Sequence, residues 1–96
     1  MRMLMKVEIP VEAGNAAIKN GTIGKIMSEF MEKNHPEAAY FTAVGGKRTA
    51  LFVLDMKQSS DMPSVGEPLF LGLNASIEFT PAMNAEDLKT GLSRLG

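Results

Sequence analysis

The stretch Ala38–Asp55, AAYFTAVGGKRTALFVLD, is two apolar runs joined by Gly45-Gly46-Lys47-Arg48, and it constrains the fold more than any other segment. Alternating apolar runs around a short linker with two glycines are a hairpin signature. Ala38, Tyr40, Thr42 and Val44 fall on one face, and Ala39, Phe41 and Ala43 on the other. In the return strand Leu51, Val53 and Asp55 alternate with Ala50, Phe52, Leu54 and Met56. Neither face is polar enough to meet water along its whole length. A sheet built around this hairpin must therefore be covered on both sides.

The rest of the chain supplies one cover. Met3, Met5, Val7 and Ile9 alternate with Leu4, Lys6 and Glu8, which predicts a first strand with one strongly apolar face, ended by Pro10. Ala13–Asn20 reads as a connection or loose turn, because Gly14 and Gly21 lower helix preference. From Thr22, an expected N-cap, Ile23, Ile26, Met27, Phe30 and Met31 recur at helical spacing. That helix stops at Asn34-His35-Pro36, with Asn34 expected to take the left-handed conformation.

After the hairpin, Ser59-Ser60-Asp61 and Pro63 open a second helical pattern, Met62, Val65, Leu69 and Leu73. Gly66 and Pro68 interrupt it, so the spacing predicts a helix that is short, kinked or restarted at Pro68, and Ser59–Asn74 as a mobile cover. Ala75, Ile77 and Phe79 alternate with Ser76, Glu78 and Thr80 as a fourth strand, ended by Pro81. Asn84 caps a last helix with Glu86 and Asp87 in its first turn and Ala85, Leu88, Leu92 and Leu95 down one side.

This order predicts a single α+β domain over residues 1–96, of ferredoxin-like β-α-β-β-α-β topology. Its four-stranded antiparallel sheet has the helices on one face, plus a short C-terminal helix. The other face is left bare, carrying Leu4, Tyr40, Val44, Leu51 and Val53 among Lys6, Glu8, Asp55 and Glu78. An apolar patch of that extent on a small protein marks an interaction site. The expected cover is a second copy related by a two-fold axis. Burying roughly 600 Å² of apolar surface per subunit contributes on the order of 15 kcal/mol gross, before association entropy.

Composition narrows the function classes. A net charge of -1 and a pI near 5.8 give no electrostatic footprint for nucleic acid or an anionic membrane. The chain has no cysteine, hence no disulfide, thiolate nucleophile or thiolate metal site. Arg2, Lys6 and Glu8 break up the N-terminal apolar residues, and no run approaches the roughly 18 apolar residues of a membrane span, so a cytoplasmic location is expected. Nothing in the residues implies a metal or a cofactor.

The candidate chemistry is sparse. His35, the only histidine, is the natural general acid or base, although a site just past a helix C-terminus also suits an imidazole for purely structural reasons. Asp55 is the second catalytic candidate. Lys6, Glu8, Tyr40 and Glu78 are candidate ligand-binding residues sharing its sheet face. Crowded carboxylates there would raise at least one pKa enough for proton transfer, whereas a Lys6–Glu78 pair across neighbouring strands would be merely structural. A pocket between sheet and helices, lined from Tyr40, Asp55, Glu78 and His35, is the expected ligand site.

The element order, the apolar hairpin with HPEAAYF leading into it, and the run from GEPLFLGLNASIEF through TPAMNAEDL resemble small bacterial members of the dimeric α+β barrel superfamily. That resemblance implies two ferredoxin-like subunits paired sheet to sheet around a small-molecule cavity. It implies a cofactor-independent monooxygenase or isomerase-like activity, or a non-catalytic ligand-sensing or structural dimerisation role. Haem-using enzymes also belong to the superfamily, but no residue near His35 favours haem.

Overall fold

The computed structural model describes residues 1–96. Its elements are β1 (Arg2–Ile9), α1 (Val11–Lys19), α2 (Thr22–Asn34), β2 (Ala38–Val44), β3 (Lys47–Asp55), a 3-10 turn (Ser59–Asp61), α3 (Met62–Leu73), β4 (Ser76–Pro81) and α4 (Ala85–Ser93). The sheet order is β2-β3-β1-β4 and every neighbouring pair is antiparallel, giving the α+β, ferredoxin-like arrangement that the sequence implies. No helix is long and apolar enough to cross a membrane.

Alternation on β1 decides where the core lies. Met3, Met5, Val7 and Ile9 are all buried, while Leu4, Lys6 and Glu8 between them are not. On β3 the matching residues are Ala50, Phe52 and Leu54, and α3 completes the layer with Val65, Leu69 and Leu73. Phe52 is its centre: the Phe30 ring of α2 lies 4.5 Å away and the Phe41 ring meets it edge-on at 5.8 Å. Phe41 nevertheless remains 59% exposed, because β2 is the edge strand.

Three local expectations are corrected. Val11–Lys19 is a full helix, with Pro10 at its N-cap holding φ at -57°. Gly14, taken above as a helix breaker, is where α1 meets the sheet: a Cβ there would lie 2.7 Å from Arg48 Nη1. The freed space lets Arg48 donate to Asn15 Oδ1 at 3.1 Å. At the start of α2 the N-cap is Gly21, at φ 78°, and Thr22 lies inside the helix. The capping oxygen is Asn20 Oδ1, which accepts from Thr22 N at 2.9 Å and from Thr22 Oγ1 at 2.7 Å. At the other end the left-handed residue is His35, at φ 44° and ψ 58°, rather than Asn34, whose side chain instead donates to Phe30 O.

α3 runs unbroken through Pro68 and does not restart there. Proline removes the N–H that would bond the carbonyl four residues back, which is Ser64 O. Lys33 Nζ, from α2, donates to that carbonyl at 3.2 Å. The Ser59–Asn74 segment, expected as a mobile cover, thus contributes a helix that anchors three core residues.

Beyond the core the molecule is long. It measures 55 × 27 × 17 Å with a radius of gyration of 15.1 Å, where roughly 12.5 Å is usual for this length. The cause is α4, whose residues are all exposed.

Candidate functional site on the open sheet face

The strand registers turn the uncovered face into a grid. Read across β2, β3, β1 and β4, one row is Ala38, Val53, Leu4 and Thr80, the next is Tyr40, Leu51, Lys6 and Glu78, and the third is Thr42, Thr49, Glu8 and Ser76. Arg2 and Asp55 face one another at one end, and Val44 and Lys47 at the other. Neighbouring strands are about 4.8 Å apart, so Leu4, Leu51 and Val53 form one apolar patch with the Tyr40 ring beside it. Leu51 and Val53 are half-buried by their neighbours, whereas Tyr40 is 69% exposed.

Lys6, Glu8, Tyr40 and Glu78 do share this face, as the alternation implies. Their pairing differs from expectation. Lys6 Nζ forms an ion pair with Glu8 Oε1 at 3.2 Å, along its own strand, and not with Glu78 across from it. Glu78 is therefore left without an ion-pair partner.

Asp55 lies apart from the other acids. Six residues separate its register position on β1, Arg2, from Glu8, a span of about 20 Å, so Asp55 does not crowd against the other carboxylates. The N-terminal ammonium donates to Asp55 Oδ1 at 2.7 Å and to Met56 O at 2.9 Å. That hydrogen bond, reinforced by the charge of the same ammonium, holds the Asp55 carboxyl below the usual carboxylate range. The direction is opposite to the rise expected above.

His35 occupies the corner between α2 and β2, exposed, with its backbone N–H donating to Met31 O at 3.0 Å and its ring making no hydrogen bond. The structure does not bring it together with Lys6, Glu8, Tyr40 and Glu78. Nor do Tyr40, Asp55 and Glu78 line a pocket between sheet and helices, because they project from the opposite face of the sheet. The helix–sheet interface is filled instead by Phe52, Met5, Leu54, Leu69, Leu73 and Val7.

Arg2 is the functional-looking residue that the sequence reading missed. It stands on the open face at its charged end, donating from Nε to Glu37 Oε1 and from Nη1 to Asp87 Oδ2 at 2.9 Å. The Glu37 hydrogen bond raises its pKa further, against partial desolvation. These groups line an open cleft of about 780 Å³ with Asp55, Pro81 and Met83. Its charges are already satisfied within the chain. The available signal was the position of Arg2 in the Leu4, Lys6, Glu8 set; Glu37 and Asp87 join it only through the topology.

A second cleft, about 530 Å³, lies between the start of α3 and β4 and is lined by Met62, Pro63, Phe70, Ile77 and Phe79 with Glu67 at its rim. No group of three or more His, Asp or Glu side chains converges to hold a metal. No protein-family model, no curated protein and no solved structure matches this chain.

Proposed function

We propose that the chain is a homodimeric small-molecule-binding protein of the dimeric α+β barrel kind, paired open face to open face. One observation carries this reading: Leu4, Leu51, Val53 and Tyr40 form a contiguous patch on a sheet face that the chain's own helices leave uncovered. Facing patches bury one another, while Lys6, Glu8 and Glu78 at their margin offer donors and acceptors to a ligand with an apolar body and a polar group. The working location is cytoplasmic, with neither nucleic acid nor membrane as partner.

The non-catalytic form, a ligand-sensing or pairing module, has a specific observation in its favour. A monooxygenase or isomerase-like reaction without a cofactor needs a proton acceptor poised near neutrality. Asp55, bound by the N-terminal ammonium, is a weakened base, and His35, the other catalytic candidate, lies on an exposed corner apart from Lys6, Tyr40 and Glu78.

Light scattering at tens of micromolar tests the pairing. The expected mass is twice 10.4 kDa, falling to 10.4 kDa in Leu51→Lys with unchanged circular dichroism. A wild-type mass of 10.4 kDa would refute the reading. For the ligand, thermal-shift screening with small aromatic acids should give hits that Lys6→Ala abolishes.

A further inference from the structure

We propose that α4 is an intersubunit arm, whose leucine stripe lies on the second copy rather than on its own chain; this rests on the pairing proposed above. Leu88, Leu92 and Leu95 are 46%, 56% and 82% exposed, and Met83 just before the helix is 65% exposed. Their spacing puts Leu88 and Leu92 on one side of the helix, with Leu95 in the turn that follows it. The stripe is only partly covered within the chain.

A bare α4 should not persist. It has nine residues, including Gly91, and isolated helices shorter than about 12–15 residues are marginal in water. The Asn84–Asp87 capping box stabilises its first turn, with Asp87 N donating to Asn84 Oδ1 at 2.8 Å and Asn84 N to Asp87 Oδ2 at 3.1 Å. A cap does not replace packing along the rest of the helix.

The tether sets the direction in which cover must come. Asp87 is held by Arg2, and Arg2 belongs to the same face of β1 as Leu4 and Lys6. α4 therefore leaves the body on the side that carries no helices. The nearest surface beyond its own sheet is whatever covers the open face, which makes the stripe continuous with the proposed interface.

The exposed area suits a second copy as the occupant. The chain exposes 6395 Å², whereas a compact monomer of 10.4 kDa exposes roughly 5,400 Å². The excess of about 1,000 Å² is close to the roughly 800 Å² that each partner buries in a standard-size protein interface. The charge on α4 points the same way. Glu86 and Asp87 balance Lys89 and Arg94, so the helix lacks the basic face that would seat it on an anionic membrane.

Isotope-filtered NMR on dimers mixed from methyl-labelled and unlabelled chains tests this directly. The expected result is intermolecular contacts from the Leu88 and Leu92 methyls. Contacts only within one chain, or none, would overturn the proposal. In parallel, Leu88→Ser combined with Leu92→Ser removes no buried group from the subunit, so its fold should persist by circular dichroism. The dimer dissociation constant should rise on the order of 100-fold or more. An unchanged constant in that variant, with Leu51→Lys still monomeric, would sink the arm and leave face-to-face pairing intact. A monomeric wild type would sink both.

Discussion

Replacing Pro68 with alanine is expected to stabilise the protein, by an amount that follows from a single carbonyl. An interior proline costs about 3 kcal/mol relative to alanine in a helix, from the lost N–H and the clash with the preceding turn. Here part of that cost is already offset, because Ser64 O receives Lys33 Nζ at 3.2 Å. A solvent-exposed bond of that kind contributes about 0.5–1 kcal/mol. Alanine restores the helical donor but makes the Lys33 bond redundant, and α3 is already adapted to the proline ring. The net gain is then about 1–2 kcal/mol, or a rise in Tm of roughly 5–10 °C for a domain of this size. Thermal and urea unfolding followed by circular dichroism measure it, at one fixed protein concentration because dimerisation would add to apparent stability. Lys33→Met sharpens the test as a double-mutant cycle. It should cost about 0.5–1 kcal/mol with Pro68 in place and close to nothing in the Pro68→Ala background, where the carbonyl has its own partner. A neutral or destabilising Pro68→Ala, or an equal cost of Lys33→Met in both backgrounds, would refute the reasoning.

Two further outcomes follow from the core and from the charged end of the sheet. Phe52→Ala removes a fully buried ring from between Phe30 and Phe41 and should cost about 3–5 kcal/mol in urea unfolding, enough to leave little stability in a domain of this size. Because the folded Asp55 pKa is depressed below its ordinary value of 3.8, its contribution to stability is present above that pH and is lost as pH falls through the lower folded value. A carbon-detected NMR titration should place the Asp55 midpoint below 3.8, and acetylating the N-terminus should bring it back up; a midpoint unmoved by acetylation would show that the ammonium is not the cause.

Periodicity made much of this fold legible. Strands β1 and β3 and helix α2 are written as repeats of two and of three to four, and the structure places them accordingly. The misses have a common physical origin in contacts between segments distant in sequence. Gly14 read as a helix breaker because its propensity is visible, while the Arg48 side chain that requires the missing Cβ is 34 residues away along the chain. Pro68 read as a restart because Lys33, which serves the freed carbonyl, sits on another helix. At the candidate site, alternation identified which side chains share the open face. It gave no information on their partners: Lys6 chose Glu8, and Asp55 found the chain terminus.

Strand β3 is greasy on both sides over Leu51–Leu54, with Leu51 and Val53 on one and Phe52 and Leu54 on the other, so that stretch alone does not decide which side faces the helices. β1 does, since a slip of one residue would drive Lys6 and Glu8 beneath the helices. These two charged side chains therefore act during folding as well as at the surface, forbidding the inverted sheet. A chain with leucine at both positions would hold two nearly equivalent ways to lay down its central strand, and would populate a mixture where this one commits.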